Sequence, residues 1–246
     1  MRQGEVAPKR AWIGDPLGGV KAPEPLILPD PATRFSRTAV RLETLSADHP
    51  AAEWLRFMAQ LARGQHVAAT TLAPFVGPDR AAVEQAARAR MPPLAADGHR
   101  RDPAWRDGLA LLLSEVDSAM LPAPARVVIA NLRASDTDAV EALADKFLRG
   151  AFDPGDTGAA LYVAAALQVY FVRLAADLPG ASLRLLPQRG LCPCCGSTPA
   201  SGVVTASGRT PGTRYLFCSL CATAWNHTRA ICITCGDSRS ISQRHV

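Results

Sequence analysis

The sequence lacks the features that mark the common classes of enzyme and membrane protein. It contains no glycine-rich phosphate loop, no His-Glu-x-x-His pair and no nucleophile elbow. Its longest apolar run, residues 159–172, includes Gln168 and is shorter than the ~20 residues that span a bilayer. Residues 1–12 are polar and of mixed charge, unlike a signal peptide. These absences predict a cytoplasmic protein that is neither membrane-bound nor an enzyme.

Cysteine is absent from the first 191 residues, and all seven cysteines lie between Cys192 and Cys235. Six of them form three Cys-x-x-Cys pairs, namely Cys192/Cys195, Cys218/Cys221 and Cys232/Cys235. Two intervening residues let the backbone curl so that both sulfurs face one ion, and two such pairs complete a tetrahedral site. This arrangement favours a reducing compartment and predicts a Cys₄ metal site. Four thiolates accept either zinc or iron, and the spacing does not choose between them.

The spacing also predicts which cysteines share the site. The residues between Cys195 and Cys218 read as a β-hairpin, with strands near 200–205 and 214–217 joined by a turn rich in glycine and proline. Such a hairpin brings the second pair onto the first, as in zinc ribbons and rubredoxins. We therefore assign one metal site to Cys192, Cys195, Cys218 and Cys221. The third pair, Cys232/Cys235, is then half of a second site.

Individual residues near the pairs have specific predicted roles. Gly196 and Gly236 each follow the second cysteine of a pair, where a positive φ is often needed. Trp225 is expected to shield the metal cluster from water rather than to stack on a substrate. Cys194 is interpreted as a passenger in its loop, with a spare reactive thiol as the alternative.

The rest of the chain predicts an α-helical bundle. Five prolines between residues 16 and 31 predict an extended arm over 1–33, whose Leu26-Ile27-Leu28 run could dock onto the body. Helical periodicity begins near Arg34, and residues 158–178 are apolar almost all round, which is typical of a central buried helix. The predicted fold is thus α+β: an arm (1–33), an α-helical domain (34–186) and a rubredoxin- or zinc-ribbon-like metal module (187–246). A separate module would unfold on loss of a ligand and leave the helices folded.

Charge in the metal module offers a competing interpretation. From residue 181 onward there are seven arginines, one acid and no lysine. A basic, cysteine-rich module is also typical of a zinc-ribbon protein that binds nucleic acid. However, a divalent ion held by four thiolates carries about −2 and offsets part of that charge. Nucleic-acid binding is therefore the alternative rather than the leading interpretation.

The chain resembles the formate dehydrogenase accessory protein (FdhE) family over nearly its whole length. The most specific part is the run Arg214-Tyr215-Leu216-x-Cys218-Ser219-Leu220-Cys221. Other matching segments lie on both sides of it: Pro25-Leu26, His49-Pro50, Leu55-Arg56-Phe57, Pro92-Pro93-Leu94, Trp105, Leu167-Gln168-Val169-Tyr170-Phe171, Cys192-Pro193-x-Cys195-Gly196-Ser197, Thr223-x-Trp225, Arg229 and Cys232-x-x-Cys235.

The resemblance implies a cytoplasmic maturation chaperone that binds the catalytic subunit of a respiratory formate dehydrogenase. It also implies rubredoxin-like sites that hold iron, with Cys192, Cys195, Cys218 and Cys221 as the first site. The family normally has a fourth pair further on, so either this sequence is truncated or this member lacks a second complete site at Cys232 and Cys235. A structural role for the metal and a redox role both stay open, and Arg214 is a candidate contact to the partner.

Overall fold

A computed structural model describes residues 22–116, 121–151, 153–206 and 210–239. The described residues form seven α-helices followed by a hairpin and a further strand, with one short strand ahead of the first helix. The helices are α1 (Pro31–Ser46), α2 (Ala52–Thr71), α3 (Arg80–Ala89), α4 (Trp105–Glu115), α5 (Ala123–Ala134), α6 (Thr137–Leu148) and α7 (Thr157–Ala176). The strands are β1 (Leu26–Ile27), β2 (Pro199–Val204), β3 (Arg214–Cys218) and β4 (Ala224–His227). The predicted α+β class is confirmed.

Aspartates set the starts of three helices. The carboxylates of Asp30, Asp79 and Asp136 each accept a hydrogen bond from a backbone N–H in the first turn of α1, α3 and α6. In α1, proline at the first helical position adds a favourable φ. The first helix therefore begins at Pro31, three residues before the predicted start of helical periodicity.

Helix α7 is the centre of the helical part. It packs against α1, α2, α4, α5 and α6, and most of its side chains are buried. Among the described residues, the segment Pro154–Ala176 is the one helix long and apolar enough to cross a membrane. However, 67% of its most apolar window is buried inside the protein, as in the core helix of a soluble protein. The prediction of a central helix at 158–178 is confirmed.

The four strands form one antiparallel sheet in the order β1-β4-β3-β2. The predicted hairpin is present as β2 and β3, while the Ser207-Gly208 part of its turn lies outside the described residues. Strand β1 comes from the proline-rich arm: Leu26 pairs with Trp225, and the Asn226 N–H donates to the Pro25 carbonyl at 3.0 Å. The predicted docking of this part of the arm is thus confirmed, as an edge strand.

The sheet and the helices share one hydrophobic core. A single cluster of buried side chains runs from Trp105 and Phe171 in the helices to Leu216 and Trp225 in the sheet, and it includes the clustered cysteines. The division at residues 34 and 187 stays a prediction about domains. The shared core nevertheless makes the metal module dependent on the helices for much of its buried surface.

Candidate metal centre

Four cysteine sulfurs converge beneath the sheet, namely those of Cys192, Cys195, Cys218 and Cys221. All four residues are buried, and their Sγ atoms lie within 4.8 Å of one another. The Cys192 and Cys221 sulfurs are 3.5 Å apart, and those of Cys195 and Cys218 are 3.4 Å apart. A metal bound at ~2.3 Å by four tetrahedral thiolates requires sulfurs about 3.8 Å apart. The donor set therefore fits one zinc or iron ion with small adjustments.

The first pair of cysteines lies in a tight turn of the kind called a knuckle. The Gly196 N–H donates to the Cys192 carbonyl at 2.8 Å, and the Cys192 N–H donates to the Ser197 carbonyl at 2.9 Å. Gly196 has a φ of 78°, as its position in the sequence predicted. In the second knuckle the equivalent position is Ala222, which has a φ of 57° despite its side chain. The second turn therefore holds a strained residue that glycine would relieve.

Burial makes this set of thiols difficult to ionise without a cation. Burial raises the pKa values of Cys192, Cys195 and Cys221 well above the ordinary range for a thiol. The pKa of Cys218 is lowered instead, because its sulfur accepts hydrogen bonds from the neighbouring cysteines. Two backbone N–H groups, of Leu220 and Cys221, also point at that sulfur at 3.4 Å. A divalent ion would supply the positive charge that four buried thiolates require.

The first knuckle is held in place by a segment of the helical part. The N–H of Leu94 donates to the Cys194 carbonyl at 2.9 Å, and the N–H of Ala96 donates to the Cys195 carbonyl at 2.8 Å. On α7, the Gln168 amide donates to the Ser219 carbonyl of the second knuckle at 2.9 Å, and Gln65 donates to Gln168. The sequence carries no signal for these supports, because backbone donors after a proline pair form no motif.

The third pair forms a knuckle of the same kind away from the other four sulfurs. The Cys232 N–H donates to the Asp237 carbonyl at 2.9 Å, and the Gly236 N–H donates to the Cys232 carbonyl at 3.0 Å. Gly236 has a φ of 72°. Cys235 is exposed and Cys232 half-buried. The backbone N–H groups of Cys235 and Thr234 lower the pKa of the Cys232 thiol. This knuckle is therefore preformed, but the described residues bring no third ligand to it.

The structure places the remaining predicted site residues as follows. Trp225 is buried in the same cluster as the four cysteines, and its indole N–H donates to the Arg189 carbonyl at 2.9 Å, which is a packing role. Cys194 is fully buried, and hydrogen bonds with Cys192 and Cys221 hold the pKa of its thiol well below the ordinary range, so its role as a passenger stays a prediction. The Arg214 guanidinium donates to the carbonyls of Thr228, Arg229 and Ile231, so it ties down the segment leading to the third knuckle. A contact between Arg214 and a partner stays a prediction.

Comparisons with known proteins match both parts of the chain. The family model described as FdhE, N-terminal, matches residues 23–187, and the one described as FdhE, central domain, matches residues 191–229. A protein FdhE homolog from Edwardsiella ictaluri is 36% identical over 225 residues, covering 89% of this chain and 70% of that protein. Protein FdhE of Escherichia coli O139:H28 is 34% identical over 215 residues, covering 87% and 69%.

A solved structure agrees with these sequence matches. The crystal structure of the FdhE protein from Pseudomonas aeruginosa superposes with a TM-score of 0.77 at 30% sequence identity, covering 89% of this chain and 76% of that chain. The family-model matches include both the helices and the four converging cysteines.

Proposed function

The chain belongs to the FdhE family, and from that premise we propose that it is a maturation chaperone that binds the catalytic subunit of a respiratory formate dehydrogenase in the cytoplasm. The family match over residues 23–187 and 191–229 supports this proposal most directly. The buried cluster of four cysteines supports a non-catalytic role for the metal, because four thiolates leave no open coordination position for a substrate.

The chemistry that the chain supplies is binding rather than turnover. A metal held by Cys192, Cys195, Cys218 and Cys221 would fix the two knuckles and the hairpin between them, and so hold the outer face of the sheet in a defined shape for a client. Iron is the proposed metal and zinc the alternative. Elemental analysis and a visible spectrum before and after mild oxidation, on protein purified without oxygen, separate the two.

Co-purification tests the proposal. A tagged wild-type chain should retain the formate dehydrogenase catalytic subunit of the same organism, and Cys218→Ser should lose it together with the metal. Cys194→Ser is the comparison variant, because its sulfur is not one of the four that converge, although it hydrogen-bonds with Cys192 and Cys221. Failure of the wild-type chain to bind the subunit, with its metal in place, would refute the proposed function.

A redox role is a second candidate, and the third knuckle favours it. Cys235 is exposed and the pKa of Cys232 is lowered, as in thiols that react as thiolates. Rapid alkylation of Cys232 near neutral pH is expected if this pair exchanges electrons or disulfides with a client. Alkylation no faster than that of a free thiol would count against this role.

The nucleic-acid alternative receives less support from the arginines of the metal module. Arg184 donates to carbonyls in its own turn, Arg189 to the Asn226 carbonyl and Arg214 to three further carbonyls. Phosphate-driven binding is strongest at low salt. Retention on single- or double-stranded DNA or RNA under those conditions would revive this alternative.

A further inference from the structure

A cleft of about 580 Å³ lies between helix α1 and the outer face of the sheet. Its floor includes the exposed side chains of Ile27, Val203 and Phe217, which are 43%, 48% and 37% accessible. Its wall carries Arg34, Arg37 and Arg41 of α1. We call this cleft the arginine groove. It combines an apolar floor with a cationic wall, and neither the metal centre nor the family match assigns it a role.

The strand pairing explains why the floor is apolar and open. Phe217 lies opposite Ser201 on one side and Ala224 on the other, and Ala224 lies opposite Ile27, so these residues share one face of the sheet. The other face carries Leu216 and Trp225 and is buried in the core. Apolar side chains on a solvent-facing sheet surface, next to a cleft, are typical of an interaction site.

The charged wall has a defined geometry. Positions 34, 37 and 41 are three and four residues apart, so the three arginines lie on one face of α1. Arg37 and Arg41 make no hydrogen bond or ion pair with the described residues, although the Asp30 carboxylate at the end of the groove lies close enough to Arg37 to interact with its charge. That carboxylate caps α1 by accepting hydrogen bonds from the Ala32 N–H and the Thr33 hydroxyl. Arg34, by contrast, donates to the Thr38 hydroxyl and lies over the Phe35 ring, so Arg37 and Arg41 are the wall residues available to a ligand with negative charge.

The spacing of these charges fits an extended peptide better than a compact anion. With a rise of 1.5 Å per residue, Arg34 and Arg41 are about 10 Å apart along the helix, and Arg37 and Arg41 about 6 Å. Alternate residues of an extended chain are roughly 6.6 Å apart and point the same way. Acidic side chains at every second position could thus face α1, while the intervening side chains face the apolar floor.

We propose that the arginine groove binds an extended segment of the client protein in which acidic and apolar residues alternate. This inference rests on the proposed chaperone function and names the surface that performs it. Cys218 is also a lining residue, but its side chain is buried on the opposite face of β3 with Leu216, so only its backbone can reach the bound segment. A second copy of this chain is a poorer fit, since β1 to β4 contain no acidic residue.

Fluorescence anisotropy with the labelled peptide Asp-Val-Asp-Val-Asp-Val tests the groove directly. We expect saturable binding at low salt to the wild-type chain. The double variant Arg37→Glu/Arg41→Glu should weaken binding at least about tenfold, because two attractions become repulsions. The matched control Arg56→Glu/Arg88→Glu makes the same charge change at exposed arginines of α2 and α3 and should bind like wild type. Metal content and melting temperature verify that both variants fold.

Two further peptides test the alternation. Replacing each Asp by Asn, or each Val by Ser, should reduce the affinity at least about tenfold, since each change removes one of the two matched surfaces. Equal binding of the Asn peptide, or equal weakening by the control variant, would overturn the groove proposal. Concentration-dependent self-association that the double variant abolishes, without peptide binding, would identify a second copy as the occupant instead.

Retention of the client subunit distinguishes the groove proposal from the proposed chaperone function. Retention of the catalytic subunit by wild type and loss by Arg37→Glu/Arg41→Glu would support both. Equal retention by wild type and the double variant would overturn the groove and leave the chaperone function standing. No retention by the wild-type chain would refute the function, and the peptide titration would then judge the groove alone.

Discussion

Loss of the metal is expected to unfold the helices together with the metal module. The perturbation is Cys218→Ser, which nearly preserves side-chain volume but removes one thiolate from a buried set of four. A structural metal of this type contributes on the order of 10 kcal/mol of binding free energy that is also folding free energy. Since a domain of this size is stable by about 5–15 kcal/mol, loss of the metal removes much or all of that margin.

Five hydrogen bonds, among them one from the Tyr215 hydroxyl to the Glu24 carbonyl at 3.0 Å, give the magnitude of the coupling between the two parts. Residues before 187 and the metal module are joined by the bonds Leu94–Cys194, Ala96–Cys195, Gln168–Ser219, Asn226–Pro25 and Tyr215–Glu24. At about 1 kcal/mol net each, they contribute roughly 5 kcal/mol, before the shared apolar core is counted. Coupling of that size makes separate unfolding of the two parts unfavourable.

Two buried tryptophans allow the coupling to be measured. Trp105 lies in the helical core and Trp225 in the sheet, and both are essentially inaccessible to solvent. Two single-tryptophan variants are needed, one keeping only Trp105 and one keeping only Trp225, with every other tryptophan replaced by Phe. The fluorescence of each variant then reports the urea unfolding of one part. We expect coincident transitions in the metal-loaded protein and a parallel loss of both signals in Cys218→Ser. An unchanged Trp105 transition in that variant would show that the helices unfold independently of the metal module.

Three smaller predictions follow from single contacts. Ala222→Gly should stabilise the protein by about 0.5–1 kcal/mol in urea unfolding, because glycine adopts the left-handed φ without strain. Burial and the charge of Arg101 lower the pKa of His99 in the native state, so below about pH 6.5 the unfolded chain binds more protons than the native state does. Lowering the pH below about 6.5 should therefore destabilise the native state. His99→Gln, which can still accept from the Tyr170 hydroxyl at 3.0 Å, should flatten that pH dependence. Glu141→Ala should cost about 2 kcal/mol, because Arg101 and the Trp105 indole N–H both donate to that carboxylate.

Matched variants show whether these contacts are responsible. Gly196→Ala should destabilise, since it creates in the first knuckle the strain that Ala222→Gly removes from the second, and its new methyl group would meet Pro92. Glu84→Ala breaks an exposed pair with Arg80 and should change stability by less than about 0.5 kcal/mol. A cost for Glu84→Ala equal to that of Glu141→Ala would contradict the role assigned to the hydrogen bonds from Arg101 and Trp105 to Glu141.

The sequence predicts the parts of this protein whose signals are local. Cys-x-x-Cys spacing predicts the four converging sulfurs, a glycine after Cys195 predicts the positive φ of the first knuckle, and the uniformly apolar residues 158–178 predict the central helix. Each of these features depends on residues close together in the chain.

The features that the sequence does not predict depend on contacts between distant residues. Pairing of Leu26 with Trp225 joins positions about two hundred residues apart, and a two-residue strand has no periodicity of its own. The groove between α1 and the sheet likewise arises only when Arg37 and Phe217 come together. Ala222 has the φ of a glycine without being one, so its conformation is set by the second knuckle rather than by its own preference.

Strands β1 and β4 are neighbours in the sheet but come first and last in the chain, and this constrains the order in which the sheet can form. During vectorial synthesis β1 leaves the ribosome early, whereas its neighbour β4 is among the last described segments to emerge. Until then, β1 has no strand to pair with, and the floor of the arginine groove does not exist. A nascent chain from which β4 has not yet emerged is therefore unable to present this groove.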